Sequence, residues 1–409
     1  MRKLETRSTL ESEVRPGRRR GRRWLRGIAL FLAGLLVVAL VLYGWAWLSL
    51  DRSAVARALM WMDADVGDQY RFPSRVIEAG AATSPLPRGR EISLPNTRIE
   101  TGAAVPFDSF LSRTDTLAFL VVHRDRLVYE RYLDGAGPRI LLTSFSVAKS
   151  VLSTLVGIAV EEGSIDSLDD PITDYLPELS RRDPRFERIT LRHLLTMSSG
   201  IRYWEPDLPV PFGDDVATYY DPDMRTLALE ETEIEGVPGR EWQYNNYHPL
   251  LLGLVLERTT GMSVSEFLST RLWQPLGAER DATWNLDSEW SGFEKLESGL
   301  NATAADYARF GLLFLHGGEW NGTRIVSEEW VTSATAADAR TDPAKDYQYF
   351  WWVDVERPGR FYALGNFGQY IYVAPDAEAV IVRNGSDWGV DNDDWLRIFR
   401  GIADRLAPS

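Results

Sequence analysis

Cysteine is absent from the 409 residues, which excludes disulfide bonds, thiolate metal sites and cysteine nucleophiles. Histidine occurs only four times and never with the H-E-x-x-H spacing of a zinc site, so we expect no metal. No G-x-S-x-G sequence occurs, which excludes the nucleophile elbow of the α/β-hydrolases. No glycine-rich phosphate loop occurs either, and we expect no cofactor.

Acidic residues outnumber basic ones, and the imbalance is uneven along the chain. The formal net charge is −14, yet residues 1–26 hold ten Lys or Arg residues against three Asp or Glu residues. The acidic remainder argues against nucleic acid as a partner. Residues 27–50 contain no charged side chain, and 24 residues form a helix of about 36 Å, enough to cross a hydrocarbon layer of about 30 Å.

The flanks of this apolar segment predict its orientation. Arginines crowd its N-terminal side, and Tyr43, Trp45 and Trp47 cluster near its far end, as interfacial aromatic residues do. The positive-inside rule then makes residues 1–26 a cytoplasmic tail, and it predicts a single-pass protein of the cell inner membrane with a periplasmic body. A cleaved signal peptide is the alternative, because residues 54–56 read A-V-A. Signals usually have about 7–15 apolar residues, so we favour a retained anchor.

The scarcity of lysine makes Lys149 conspicuous. Four lysines stand against 41 arginines, and only Lys149 follows a serine, Ser146, at a distance of three residues. A buried lysine can lose its proton and act as a base, whereas arginine cannot. The apolar periodicity after Lys149 predicts a helix, and residues three apart share a helix face. Two interpretations stay open here: an activated nucleophile, or a helix start with a solvated lysine.

Another polar pair lies about a hundred residues later. Tyr244 and Asn246 precede a segment in which Pro249 can begin a helix and Gly261 can end it. A loop that leads into a helix can project its side chains into a cleft. Because a phenol ionises more readily beside an ammonium, Tyr244 is a candidate proton carrier; a packed aromatic residue is the alternative.

The periodicity of the chain predicts an α+β fold. Strand patterns occur at 117–122 and 126–132 and return near the end at 360–364, 369–375 and 379–384, before a helix at about 393–406. Helical patterns dominate from 147 to about 340. We therefore expect an antiparallel sheet assembled from both chain ends around a large helical middle. The expected segments are the tail 1–26, the transmembrane helix 27–50, a lead-in segment 51–105 and one domain over 106–409.

S-x-x-K followed by Y-x-N resembles the serine hydrolases of the class C beta-lactamase type, which include esterases, D-peptidases and 6-aminohexanoate-dimer hydrolases. The segments TSFSVAKSVLSTLVGIAVEEGS, ITLRHLLTMSSG and LNATAADYARFG resemble that family in the same order. The resemblance covers roughly residues 106–405. It implies a beta-lactamase/penicillin-binding-protein-like fold, and it is nearest to the 6-aminohexanoate-dimer hydrolase branch.

The resemblance also implies roles for the two motifs. Ser146 attacks a carbonyl carbon, and Lys149 accepts the serine proton. Tyr244 carries a proton to the leaving group and then helps to activate water. Asn246 binds the acyl side of the substrate or holds Lys149.

The third motif of that family departs from its pattern in this chain. The family has a basic residue, then Thr or Ser, then Gly on an edge strand, whereas this chain has A-L-G at 363–365. Gly365 remains, and the backbone N–H of Asn366 is expected to complete an oxyanion hole with that of Ser146. The loss of the basic residue argues against efficient penicillin hydrolysis. Gln369 is a candidate substrate contact.

Two functions from different classes follow from the sequence. The first is a membrane-anchored serine hydrolase that cleaves small amides or esters. The second is a non-catalytic relative that binds cell-wall fragments or a protein partner. The intact S-x-x-K and Y-x-N motifs favour the hydrolase, because a binding module has no need of a lysine base.

Overall fold

The computed structural model describes residues 18–98, 103–206, 210–336 and 343–408. The α-helices, in chain order, are α1 (Arg18–Leu48), α2 (Ala54–Trp61), α3 (Phe107–Arg113), α4 (Val147–Glu161), α5 (Ile172–Tyr175), α6 (Pro177–Arg182), α7 (Leu191–Leu195), α8 (Asp214–Tyr220), α9 (Met224–Thr226), α10 (Tyr247–Thr260), α11 (Val264–Leu268), α12 (Ala304–Leu315), α13 (Glu328–Thr335) and α14 (Asn392–Leu406).

The β-strands, in chain order, are β1 (Ser74–Ile77), β2 (Thr116–His123), β3 (Arg126–Tyr132), β4 (Leu142–Thr143), β5 (Ala282–Asn285), β6 (Leu300–Ala302), β7 (Glu319–Trp320), β8 (Thr323–Arg324), β9 (Tyr347–Gln348), β10 (Trp351–Val353), β11 (Phe361–Gly365), β12 (Gln369–Ala374) and β13 (Ala379–Gly385). The strands predicted near both chain ends and the C-terminal helix are therefore confirmed to within a few residues.

The main sheet joins the two ends of the domain, as predicted. Its order is β3-β2-β13-β12-β11-β10-β9, and every neighbouring pair is antiparallel. The link between the ends is β2 with β13, in which Val121 faces Ile381. All residues of β12 and β13 are buried, because both faces of the sheet are covered. Because side chains on both faces of these strands are buried, their sequences are largely apolar throughout and do not alternate between apolar and polar residues.

Helices cover both faces of the main sheet. On one face, α3 and α14 bring Phe110, Trp395 and Phe399 against the aromatic residues of the strands, with Phe399 and Tyr370 ring centroids 5.0 Å apart. On the other face lie α12 and α4, and residues 147–159 of α4 are all buried. Burial on every side makes α4 a fixed part of the core rather than a surface helix.

A smaller sheet, which the sequence did not predict, has the order β1-β5-β6-β4. Its strand β1 comes from the lead-in segment 51–105, and β4 ends three residues before Ser146. The pairing of β4 with β6 matches Thr143 with Asn301. This sheet therefore connects the lead-in segment to the start of α4.

Helix α1 contains the apolar segment predicted to cross a membrane. Trp24–Leu48 is long and apolar enough for a span, with a mean hydropathy of 2.6 and no part of its most apolar stretch buried in the protein. A membrane anchor and a signal sequence both have these properties. Most of the predicted basic tail lies outside the described residues. Residues 18–26 form the start of α1.

Helix α2 packs against the domain and is held there by hydrogen bonds at both of its ends. The guanidinium of Arg57, 3% exposed, donates to Leu50 O at 2.8 Å, Tyr220 O at 3.2 Å and Asp287 O at 2.6 Å. At the other end of α2, Tyr220 Oη donates to Met62 O at 2.8 Å. These bonds fix the lead-in segment against α8.

Gly311 lies where α12 meets the main sheet. A Cβ at this position would lie 2.6 Å from Val380 Cγ1 and 2.8 Å from Ile371 Cγ2. We expect Gly311→Ala to lower the midpoint of thermal unfolding, because overpacking costs about 1–3 kcal/mol and outweighs a helix-propensity gain of about 1 kcal/mol. Gly401→Ala in α14 is the control: no atom lies within 4 Å of that Cβ, so the midpoint should rise. A rise in both variants would contradict this account of the interface.

Candidate active site

Ser146 lies at the N-terminal boundary of α4, directly after a strained residue. Phe145 has a φ of +44°, in the left-handed region that bulky residues rarely adopt. Its ring packs edge-on against Phe367, with centroids 5.2 Å apart, and Ser144 N donates to Leu300 O at 2.8 Å. Such strain persists only where the surrounding structure holds the segment. Held in this way, Ser146 lines a cleft of the domain.

Lys149 lies beside Ser146, as the spacing predicted. Its Nζ is 2.9 Å from Ser146 Oγ and donates to Glu297 O at 2.8 Å. The residue is 1% exposed, so the solvated-lysine interpretation is wrong. A lysine that is buried and bonded to a serine hydroxyl has the geometry of a nucleophile–base pair.

Tyr244 and Asn246 lie in the loop before α10, where the sequence placed them. The Tyr244 ring centroid is 4.9 Å from Lys149 Nζ, a cation–π distance. Asn246 lines the cleft, and its Nδ2 donates to Tyr203 Oη at 2.9 Å. Its Oδ1 is buried without a hydrogen-bond partner. Asn246 therefore faces the cleft, and the expectation that it holds Lys149 is wrong.

Gly365 ends β11 in close contact with the segment around Ser146. A Cβ at this position would lie 2.3 Å from Ser144 O and 3.0 Å from Ser146 N, so only glycine allows this approach. The next residue, Asn366, lines the cleft. This arrangement brings the backbone of residue 366 to the same side of the cleft as Ser146.

Gln369 does not lie in the cleft, in contrast to the expected substrate contact. It is 1% exposed, and its Nε2 donates to Asn366 O at 3.1 Å and Gly385 O at 2.8 Å. Its Oε1 accepts from Asn384 Nδ2 at 3.2 Å. The side chain satisfies the backbone of the turn between β11 and β12, so its role in the structure is to hold that turn.

The cleft that contains Ser146 has a volume of about 450 Å³. Its wall comes from distant parts of the chain: the lead-in segment, the loop after 205, α8, the loop before β6 and the turn after β11. The lining residues are Ala58, Leu59, Met62, Asp63, Ala64, Phe145, Ser146, Pro206, Val210, Pro211, Asp215, Val216, Tyr219, Tyr220, Asn246, Glu297, Ser298 and Asn366. Sequence reasoning missed the contribution of the lead-in segment, which has no motif.

The described lining of the cleft is rich in acceptor oxygens and contains no Lys or Arg side chain. Asp215 Oδ1, Asn246 Oδ1 and Glu297 Oε2 are buried and have no hydrogen-bond partner. Burial raises the pKa of Asp215; the backbone N–H groups of Val216 and Asp215 oppose this effect, and Asp214 adds to it. Burial and the charge of Asp215 raise the pKa of Glu205 in the same way. Unpaired buried acceptors are costly, so this cleft suits a ligand that brings hydrogen-bond donors.

The sequence analysis also missed a second buried lysine, Lys295, which binds the same residue, Glu297, as Lys149 does. Lys295, 1% exposed, has its Nζ 4.4 Å from the Phe72 ring centroid and 4.1 Å from that of Tyr219. Its Nζ donates to Glu297 Oε1 at 2.9 Å and to Tyr219 O. Burial lowers the pKa of Lys295, while Glu297 opposes this effect. The scarcity of lysine was the one signal in the sequence that pointed to this residue.

Among the described residues, no histidine lines this cleft. His248, in the first turn of α10, is buried between Ser199 and Met197, with its Nε2 2.6 Å from Ser199 Oγ. Burial lowers the pKa of His248 to about 3. Within the described ranges, no cluster of three or more metal-binding side chains occurs.

Known proteins share both the sequence and the architecture. A family model described as beta-lactamase matches residues 107–400. A 6-aminohexanoate-dimer hydrolase of Paenarthrobacter ureafaciens is 34% identical over 310 residues, covering 71% of this chain and 78% of the relative. A solved structure described as a 6-aminohexanoate-dimer hydrolase from Bacillus anthracis has a TM-score of 0.76 and 26% identity, covering 88% of this chain and 98% of that one. An esterase of Burkholderia gladioli is 33% identical over 142 residues, 32% of this chain and 36% of the relative.

Buried, neutral His248 makes stability depend on pH. Its folded pKa of about 3 lies below the ordinary 6.5, so the unfolded chain binds a proton first as the pH falls. The stabilising contribution is therefore complete above about pH 6.5 and declines by roughly 3 kcal/mol on acidification to pH 4. We expect His248→Asn to be less stable at pH 7 but to lose less stability between pH 7 and pH 4 in thermal unfolding. An unchanged pH dependence would contradict the assignment.

Proposed function

Because this chain belongs to the beta-lactamase family and is a serine hydrolase, we propose that it cleaves small amides or esters through an acyl-enzyme on Ser146. The observation that carries this proposal is the 2.9 Å hydrogen bond between Lys149 Nζ and Ser146 Oγ. An acyl-enzyme divides one difficult displacement into two easier steps. The resemblance of the two motifs to the family supports the same assignment of roles.

In acylation, neutral Lys149 takes the Ser146 proton while Oγ attacks the carbonyl carbon of the substrate. The hydrogen bond from Lys149 Nζ to Glu297 O at 2.8 Å orients the amine for this transfer. General base help of this kind contributes about 10²–10⁴-fold to the rate.

The developing oxyanion is stabilised by backbone N–H groups. The two candidates are Ser146 N, at the start of α4, and Asn366 N, at the end of β11. A Cβ at Gly365 would lie 3.0 Å from Ser146 N, so the end of β11 is close to Ser146. This closeness supports a shared role of the two N–H groups as donors to one oxyanion. Donors fixed in place before the reaction contribute about 10²–10³-fold each.

Tyr244 is proposed as the proton carrier for the leaving group. Its ring centroid lies 4.9 Å from Lys149 Nζ, so Tyr244 is a neighbour of the proposed base. The proton that leaves Ser146 passes through Lys149 and Tyr244 to the departing amine or alkoxide. In deacylation the same groups remove a proton from water, which attacks the acyl carbon.

The lining of the cleft indicates which substrates fit. Asp63 and Asp215 lie in the described lining, where no Lys or Arg side chain occurs and where Glu297 is already paired with Lys295, so the lining favours a cationic group of the substrate over a carboxylate. An amine or ammonium group of the substrate would donate a hydrogen bond to Asp215 Oδ1, which has no hydrogen-bond partner among the described residues. The substrate named for the 34% identical relative, a dimer of 6-aminohexanoate, has an amino group at one end and a carboxylate at the other, and its amino end matches this chemistry. We therefore propose amides or esters with an amine at the non-reacting end.

The proposed location is the cell inner membrane, with the domain on the periplasmic side. The 25-residue apolar helix Trp24–Leu48 supports a retained single-pass anchor, and the arginines before it favour a cytoplasmic N-terminus. Hydrolysis would then take place close to the membrane surface, because α2 follows the anchor after five residues and lines the cleft.

Covalent labelling tests the assignment of nucleophile and base. The full chain, in detergent, is treated with a fluorophosphonate and its intact mass is measured over time. We expect one adduct in the unmodified chain and none in Ser146→Ala. Lys149→Arg keeps the charge but cannot act as a base, so labelling should slow by about 10²-fold or more. Lys345→Arg, at an exposed lysine, is the matched control and should label normally. Normal labelling of Lys149→Arg would contradict the proposed base.

A pair of substrates tests the role of Asp215. The 4-nitroanilides of 6-aminohexanoate and heptanoate differ only in an ammonium or a methyl group at the chain end. We expect Asp215→Asn to reduce kcat/KM for the amino substrate by about 10–100-fold and to affect the heptanoyl substrate much less. Because burial raises the pKa of Asp215, the preference should disappear on acidification at a higher pH than an ordinary aspartate gives. An equal loss for both substrates would contradict the role.

A further inference from the structure

Two buried lysines bind the same residue, Glu297. Lys149 Nζ donates to its backbone carbonyl at 2.8 Å, and Lys295 Nζ donates to its carboxylate Oε1 at 2.9 Å. Lys149 and Lys295 are each 1% exposed, and Glu297 is 2% exposed. One residue therefore separates the proposed base from a second ammonium.

The Glu297 carboxylate obtains its counter-charge from Lys295. Its Oε1 also accepts a hydrogen bond from Ser298 Oγ at 2.7 Å, and its Oε2 is buried without a partner. In the described parts of the chain, Lys295 provides its only ion pair. A buried carboxylate that loses its ion-pair partner is strongly destabilised, so pairing with another nearby cation becomes favourable. Lys149 is close to this residue, because its Nζ donates to the Glu297 backbone carbonyl.

Other charged and titratable groups face this pair from several elements. On the side of Lys149, α10 and the loop before it contribute His248 and Tyr244. On the side of Lys295, Arg57 of α2, Asp68 and Tyr219 of α8 surround the ammonium. Asp68 is already bonded to Tyr219 Oη at 2.9 Å and to Arg71. Lys295 is thus the group that binds the carboxylate itself.

The choice of lysine at position 295 is unusual for this chain. Arginine serves as the fully buried cation elsewhere, as at Arg309 and Arg383, which are both 0% exposed. The ammonium of Lys295 fits between two aromatic rings at 4.4 and 4.1 Å. A lysine ammonium is a compact charge, whereas a guanidinium is larger and planar.

We propose that Lys295 is a positioning residue that keeps the Glu297 carboxylate away from Lys149, so that Lys149 can lose its proton and act as a base. The inference rests on the proposed function. An ammonium paired with a carboxylate is stabilised in its charged form. Because Lys295 occupies the carboxylate, the hydrogen-bond partners of Lys149 Nζ among the described residues are a neutral carbonyl and the Ser146 hydroxyl, and its ring contact is Tyr244.

The test is the pH dependence of Ser146 phosphonylation in the full chain, measured from pH 6 to pH 10 with a fluorophosphonate. Lys295→Met frees the carboxylate, so the midpoint of the rise in rate should move to higher pH by about one unit or more. The double variant Lys295→Met/Glu297→Gln removes the freed carboxylate and should return the midpoint to that of the unmodified chain. Lys295→Gln is a second single variant with a neutral hydrogen-bond donor, and it should shift the midpoint in the same direction.

A purely structural role predicts a different result. The single variants would then have lower thermal midpoints and slower labelling, with the pH midpoint unchanged, and the second substitution would not restore the rate. Either an unchanged pH midpoint in folded Lys295→Met and Lys295→Gln or a failure of the double variant to reverse the shift overturns the inference. Absence of any Ser146 adduct in the unmodified chain overturns the proposed function instead, and this inference with it.

Discussion

The hydrogen bond between Lys149 and Ser146 is the interaction on which the functional account depends, and much of the fold serves to hold it. Both residues belong to one turn at the start of α4, a helix buried on every side. The strained backbone of Phe145 and the close approach of Gly365 fix the serine from one direction. The carbonyl of Glu297 fixes the lysine from the other. The two contacts hold the amine against the serine hydroxyl, which is the geometry that a nucleophile–base pair needs.

Local spacing explains why the central pair could be predicted from the sequence. Ser146 and Lys149 are three residues apart on one helix, so no tertiary information is needed to bring them together. The strands at both chain ends were predictable for a similar reason, because their apolar and β-branched runs are themselves local signals. Tyr244 was placed correctly in the loop before α10, since Pro249 and Gly261 indicate that helix. The pairing of β2 with β13 followed from the expectation of one sheet, not from any single residue.

The rest of the cleft could not be predicted, because it depends on contacts between distant segments. Asp215 and Glu297 have no motif, and their importance comes from the burial of unpaired oxygens, which only the packed structure defines. The docking of α2 through Arg57 on backbone carbonyls leaves no pattern in the sequence either. Gln369 shows the opposite error. A polar residue on a strand beside the expected motif suggested a substrate contact. The Gln369 amide instead forms its hydrogen bonds inside the protein, with Asn366 in the turn after β11 and with Asn384 and Gly385 in β13.

A structure of the phosphonylated protein tests the central claim most directly, because it reports on nucleophile, base and oxyanion hole at once. The account predicts phosphorus bonded to Ser146 Oγ, with one phosphonyl oxygen about 3 Å from both Ser146 N and Asn366 N. It also predicts that Lys149 Nζ remains bonded to Glu297 O. An adduct whose oxygen points away from Asn366 N, or a Lys149 side chain that has left Glu297, would contradict the arrangement described for this site.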